Sequence, residues 1–479
     1  MQSRLGFPFA CDMFKNLFND PKFYKTLFQL ALPITVQYFI SSSISLVGVM
    51  MVGQLGEVSI AALGLGNQIF FLVSLLIFGL SSGYAIFAAQ FWGANDLPNV
   101  RRVLGICLTL GVIAAGIFTL AAALLPHQIL SIYTKDPEVI REGVQYLRIA
   151  AFSYVPYAIS MAFAFVHRST GQVRLPMFVS AVSLLLSVLV SYLLIFGHLG
   201  LPALGVRGAA VGMLFARLVE AAGMLLLTYL KRTAIAASPK ELFSFNLAFL
   251  TKTLSTAMPA VLNEMAWSFA VTTYNIVYAR IGTESIAAIN ITTTIEEMAF
   301  VVFFGLANAG AIIIGNTIGA GEQEKAFTYG SRYILIGIAG ALVFGQLTSL
   351  SSRWILNFYN ISPTAADYVR NILLIFSFIM WIKVCNVMLI VGILRSGGDT
   401  RFTLLLEMSA IWGIGVPMAV LGGLVLHLEV YWVYLMVISE ELVKAFFGYR
   451  RFRSRKWIHN LTAVAQAVEP LPAAQSQAN

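Results

Sequence analysis

MPAVLNEMAWSFAVTTYNIVYARIGTESIAAINITTTIEEMAFVVFFGLANAGAIIIGNTIGAGEQ, residues 258–323, decides the fold, because the chain has already used this pattern once. Residues 32–97 lie over this region at an offset of 226 without a gap, so that Pro33 falls on Pro259 and Gly56 on Gly282. SIAA at 59–62 recurs at 285–288, FGL at 78–80 recurs at 304–306, and Gly93–Ala94 recurs at Gly319–Ala320. The copies differ inside. The second carries Glu264, Glu296 and Glu297 in apolar surroundings where the first carries Tyr38, Phe70 and Phe71.

The rest of the composition agrees with a chain built for lipid. Of 479 residues, 58% are hydrophobic and only 11% charged, against roughly a quarter charged in a soluble domain. The net charge of +9 comes from short basic clusters between oily segments, the pattern of cytoplasmic loops rather than of a nucleic-acid-binding face. Cys11, Cys107 and Cys385 share no metal-ligand spacing, which argues against a zinc site or a disulfide framework. The start, MQSRLGFPFACDMF, lacks the apolar core of a cleavable signal peptide.

A span needs about 20 mostly apolar residues. Twelve are expected, at about 26–52, 59–91, 103–125, 139–166, 175–197, 207–231, 249–280, 285–317, 328–350, 365–394, 402–424 and 430–449. Lys and Arg alternate in density between the connecting loops. Arg101–Arg102, Arg168, Arg174, Lys231, Arg232, Lys325, Arg395, Arg401 and the cluster Arg450–Lys456 place both termini in the cytoplasm of a cell (inner, plasma) membrane. The repeat continues: HRSTGQVR at 167–174 matches LRSGGDTR at 394–401 with an offset of 227. Two six-helix halves with the same topology must be related by an axis along the membrane normal, the parallel-repeat arrangement of transporters. The expected fold is therefore an all-α polytopic membrane protein of twelve transmembrane helices in two six-helix bundles. The expected divisions are a cytoplasmic N-terminal segment (1–25), an N-lobe (26–231), a cytoplasmic linker (232–248), a C-lobe (249–450) and a cytoplasmic tail (451–479). Phe14, Leu17 and Phe18 beside Lys15, Lys22 and Lys25 read as an amphipathic interfacial segment, and VEPLPAAQSQAN at the end has too few apolar residues to pack.

Ionisable residues within spans are the informative ones, since each costs about 2.5–3.5 kcal/mol at a helix centre and normally faces protein or water. Glu264 lies about 22 Å along the seventh span at 1.5 Å per residue, and Glu296 and Glu297 fall near the middle of the eighth. Lys383 and Asn386 are one turn apart on the tenth. These five are the cation-coupling candidates, in a polar cavity of the C-terminal half, or else a Lys–Glu pair locks helices together. Adjacent Glu296 and Glu297 point about 100° apart, so one of them faces inward. Arg217 and Glu220 on the sixth span, like Glu440, Glu441 and Lys444 on the twelfth, have the spacing of internal pairs. Glu407 stands near Arg401 as a partner or an inner gate. Gln37, Asn67 and Gln68 make the N-terminal interior polar but uncharged. With Tyr38, Trp267 and Trp381 they are candidates for the substrate path, because flat rings suit planar cations. No nucleotide, metalloprotease or hydrolase motif is present, which argues against an enzyme.

VGQLG, SIAALGLGNQ, FGLSSG and LRSGGDTR together resemble the multidrug and toxic compound extrusion (MATE) family over residues 25–450. The resemblance implies a secondary exporter with two six-helix lobes. Such a protein exchanges protons or sodium ions for amphipathic, often cationic, small molecules by alternating access and needs no other cofactor. Two departures from the family pattern stand out. Gly48, in VGVMMVG, occupies the place of a first-span Asp, and Trp267 occupies the place of a seventh-span acid, with Glu264 one turn earlier as the candidate for any Na+. A monomer in contact with membrane lipids is expected, with no nucleic-acid partner. The alternatives are a lipid-linked saccharide flippase of the same superfamily, which needs a cationic cavity, and from another class a membrane-embedded enzyme or scaffold.

Overall fold

A computed structural model describes residues 20–356 and 361–463. The amphipathic segment expected at Phe14–Phe18 and the terminal VEPLPAAQSQAN lie outside the described residues. Twelve long helical segments follow one another: α1 Pro21–Gly53, α2 Glu57–Gly93, α3 Leu97–Leu124, α4 Pro137–Ser169, α5 Arg174–Phe196, α6 Val206–Leu230, α7 Leu247–Ile281, α8 Thr283–Gly319, α9 Gln323–Leu356, α10 Pro363–Arg395, α11 Thr400–Val425 and α12 Val430–Arg453. No strand occurs among the described residues. Ten of these helices are long and apolar enough by composition to cross a bilayer. The other two, α7 and α12, carry the internal charges Glu264, Glu440, Glu441 and Lys444. Large apolar side chains such as Phe28, Ile117, Leu120, Leu185 and Phe378 stand outward on the helices, as a hydrocarbon surround requires.

The duplicated turns close identically. After α2, Asn95 takes a left-handed φ of 58°, and after α8 Gly321 takes 81°. The amide of Asp96 donates to the Phe91 carbonyl at 2.9 Å, and that of Glu322 to Thr317 at 3.1 Å. The second pair of turns repeats the device: Gly171 and Gly398 have φ of 79° and 88°, a region that glycine enters without steric cost.

The helices form two compact units whose bounds differ from the lobes expected from the sequence. Among the described residues, an N unit comprises Val36–Ser268 and the few residues from Asn460 to 463, and a C unit comprises residues 20–35 and those of Phe269–His459. Thus α1 and α7 each change unit along their length, and the glycine of the repeated FGL explains how. In the N unit, a Cβ on Gly79 of α2 would lie 2.8 Å from the Cα of Val261 in α7. In the C unit, a Cβ on Gly305 of α8 would lie 2.0 Å from Thr35 Oγ1 in α1. Positions 79 and 305 are equivalent in the repeat, as are 35 and 261. Each copy's second helix therefore clasps the other copy's first helix, at a closeness only glycine allows.

Each unit has its own apolar interior. Tyr84, Phe87, Phe91, Leu104 and Phe163 fill the N unit, and Tyr278, Ile289, Ile372, Val433 and Tyr434 fill part of the C unit. The linker forms a short helix, Pro239–Leu242, with Ser238 and Glu241 as a capping box, against which Gly105 of α3 packs. The chain after α12 also docks. Trp457 is fully buried against Gly397, with its Nε1 donating to the Phe452 carbonyl at 3.0 Å.

Candidate functional site

The C unit holds the densest set of buried ionisable groups. Lys383 of α10 donates from Nζ to Glu296 Oε2 of α8 at 2.8 Å and lies 3.3 Å from the Tyr434 hydroxyl of α12. That hydroxyl also donates to the other Glu296 oxygen, so the carboxylate is held on both sides. The Phe376 and Tyr434 rings stand 5.3 and 5.4 Å from the ammonium, within cation–π range. The pairing foreseen for Lys383 is with Glu296. Glu297, one residue on, is exposed.

One turn along α10 a second set begins. Asn386 donates to Glu441 Oε2 at 2.6 Å and to the Glu441 carbonyl at 2.8 Å. Lys444 donates to Glu441 at 2.7 Å and to Glu440 at 3.1 Å. The Tyr274 hydroxyl donates to the remaining Glu440 oxygen at 2.7 Å. The internal i,i+3 and i,i+4 pairs on α12 are thus present but also bonded to α7 and α10. Glu407 faces Arg395 at 3.9 Å rather than the expected Arg401, because Arg395, read from the sequence as a loop cation, is only 4% exposed.

Glu264 falls elsewhere. It is half-buried on the part of α7 that belongs to the N unit, so the three glutamates do not share one C-unit cluster as expected. The reason is the exchange of helices described above, which a linear repeat does not reveal. Trp267, 45% exposed, follows it by one turn, and Trp381, 38% exposed, stands two residues before Lys383 on α10.

The interior of the N unit is charged, contrary to expectation. Arg217 pairs with Glu220 at 2.7 Å. The other Glu220 oxygen accepts from Ser180 Oγ at 2.6 Å, Ser180 accepts from Gln37 Nε2 at 2.8 Å, and Gln37 Oε1 accepts from Arg168 at 2.7 Å. Arg168 is 6% exposed, where the sequence reading left it in a loop. Arg217 lies 4.9 Å from the Tyr157 ring and 5.7 Å from that of Phe70. Asn67 accepts from Tyr146 at 3.2 Å, whereas Gln68 is exposed. The residues missed were Tyr434, Ser180 and Arg168. A hydroxyl beside an apolar run gives no signal, and an arginine at a helix end reads as solvated.

Comparisons with known proteins agree with this architecture. The MatE family model matches residues 33–193 and again 259–421, one match per repeat. An uncharacterized transporter of Bacillus subtilis (strain 168), YisQ, is 26% identical over 442 residues, covering 90% of this chain and 95% of the relative. A probable multidrug resistance protein NorM of Rhizobium meliloti is 27% identical over 410 residues, covering 82% and 85%. Among solved structures, the outward-facing conformation of a multidrug resistance MATE family transporter of the MOP superfamily shares the fold. It has a TM-score of 0.82 at 19% identity, over 90% of this chain and 96% of that one. The twofold match of the family model covers well over half of the chain, which therefore belongs to the MATE family of multi-pass membrane transporters and is not an enzyme.

Proposed function

We propose that this protein is a secondary antiporter exporting amphipathic, mainly cationic, small molecules from the cytoplasm across the cell membrane by alternating access, with protons as the coupling ion. The observation that carries the reading is the Glu296–Lys383–Tyr434 group inside the C unit. A carboxylate there is costly unless paired, and its pairing depends on its charge. Taking up one proton at Glu296 removes the counter-charge of Lys383 and weakens both bonds to the carboxylate, so the helices α8, α10 and α12 are tied differently in the two protonation states. Such a difference in interaction energy is what an ion needs to bias a conformational equilibrium. Sodium would have to compete with an ammonium already bound at 2.8 Å, which favours the proton at this position. Glu264 remains the candidate for sodium. The multidrug role borne by relatives' names, a monomeric state and cytoplasmic termini belong to the same reading.

Efflux of a cationic dye from proteoliposomes under an imposed pH or sodium gradient tests it, with wild type, Glu296→Gln and Glu264→Gln. A pH gradient should drive wild type and not Glu296→Gln. Dye movement driven by sodium alone and lost only in Glu264→Gln would transfer the coupling to Glu264. Movement under neither gradient would end the antiporter reading.

A further inference from the structure

The two halves share a string of positions and fill it with different charges. In the C unit, Arg395 faces Glu407 at 3.9 Å, and Lys444 pairs with Glu441 at 2.7 Å. The offset of 227 lays Arg395 on Arg168 and Glu407 on Ser180. An offset of 224, which aligns the first residues of α6 and α12, lays Lys444 on Glu220 and Glu441 on Arg217. Positive, negative, positive, negative in the C unit becomes positive, neutral, negative, positive in the N unit. Glu220 is committed to Arg217 and Ser180. Arg168 has kept its place and lost the carboxylate that faces its counterpart.

What surrounds Arg168 does not replace that charge. Its Nη2 donates to the neutral Gln37, and its guanidinium carbon lies 5.2 Å from the Phe165 ring and 6.0 Å from that of Tyr38. Its Nε is buried and has no hydrogen-bond partner. Among the described residues no carboxylate lies within ion-pair distance of it. Unlike a buried lysine, a guanidinium cannot shed its proton, and a buried cation without a counter-charge is strongly disfavoured.

We propose that Arg168 binds the carboxylate of a small ligand with a flat apolar skeleton, with Gln37 beside it and Phe165 and Tyr38 as walls. Nε and Nη2 form one edge of the guanidinium, the edge that grips a carboxylate with two parallel bonds. The ligand's negative charge takes in the N unit the place of the Glu407 charge that lies 3.9 Å from Arg395 in the C unit. That the natural ligand is a transported zwitterion rests on the efflux reading; the carboxylate site itself does not.

Calorimetric titration of benzoate into the detergent-solubilised protein, with benzyl alcohol as the neutral analogue, tests the site without requiring transport. Wild type should bind benzoate saturably and at least about tenfold more tightly than benzyl alcohol. Gln37→Glu places a carboxylate of the same shape on Arg168, at the loss of the bond that Gln37 Nε2 gives Ser180, so benzoate affinity should fall at least about tenfold in a protein that still melts cooperatively. Arg168→Gln should also lose binding. Wild type that takes up no benzoate, or that takes up benzyl alcohol equally, overturns the proposal, as does Gln37→Glu binding benzoate like wild type. Failure of the proteoliposome assay with benzoate binding intact would remove only the transported-zwitterion assignment.

Discussion

Separating Glu296 from Lys383 is the sharpest perturbation of the C unit. At 2.8 Å, two unit charges attract by about 6 kcal/mol at an effective dielectric constant near 20. Taking each ion out of water costs several kcal/mol in return. The side chains keep 14% and 20% of their exposure, so that penalty is incomplete, and the Tyr434 hydroxyl and two rings support the pair. Lys383→Gln alone should destabilise by about 3 kcal/mol, because it leaves a buried carboxylate without its partner. Glu296→Gln alone should cost somewhat less, since Tyr434 still has an acceptor. The double variant should cost less than the sum, with a coupling energy of about 1.5–3 kcal/mol, the upper range for residues in contact. Chemical unfolding of the solubilised protein, followed by tryptophan fluorescence across the four-member cycle, measures this. Additivity within about 0.5 kcal/mol would mean that the two groups do not hold one another, and the proton-coupling argument built on them would fall with it.

Other expectations concern the connections between helices. At Asp399 burial raises the carboxyl's pKa, but the nearby His459 ring and the two hydrogen bonds from Arg451 outweigh it and hold the group below the usual carboxylate range. Its stabilisation is therefore present above the unfolded value near 4 and lost as pH falls through the lower folded value. The melting-temperature gap between wild type and Asp399→Asn should persist to pH 5 and shrink below about pH 4; a gap that widens on acidification would contradict the pairing. A Cβ on Gly105 would lie 1.8 Å from the Leu242 carbonyl oxygen, so Gly105→Ala must push the linker helix off α3, at a cost of about 1–3 kcal/mol. Unchanged thermal stability in that variant would refute the close packing. Gly397→Ala would meet the Trp457 ring at 2.4 Å and should loosen the segment that Trp457 anchors, so that trypsin cleaves after the already exposed Arg455 and Lys456 faster than in wild type, as read by gel electrophoresis.

Much of this molecule was legible from its repeat. Hydropathy has a long range in a membrane chain, because every span must be apolar for some 20 residues, so twelve helices could be located without knowing their neighbours. The offset of 226 related Gly79 to Gly305 and the offset of 227 related Gly171 to Gly398, and those glycines do sit at close contacts and left-handed turns. For Lys383 the sequence left two readings open, a cation-coupling group or a pair with a glutamate that locks helices, and the packing shows the pair with Glu296.

The choice of partners required the tertiary structure. Sequence spacing reports which residues share a helix face, but Glu296, Lys383 and Tyr434 come from three helices, and only packing makes them neighbours. The same holds for Arg168, whose buried place depends on α1 carrying Gln37 to it. Above all, the exchange of α1 and α7 between units puts Glu264 with the N unit. A duplicated sequence states that two halves are alike, and on that basis predicts the helices and turns. It does not say with which half each helix packs, because that is decided by contacts between residues more than 200 positions apart, such as Gly305 with Thr35.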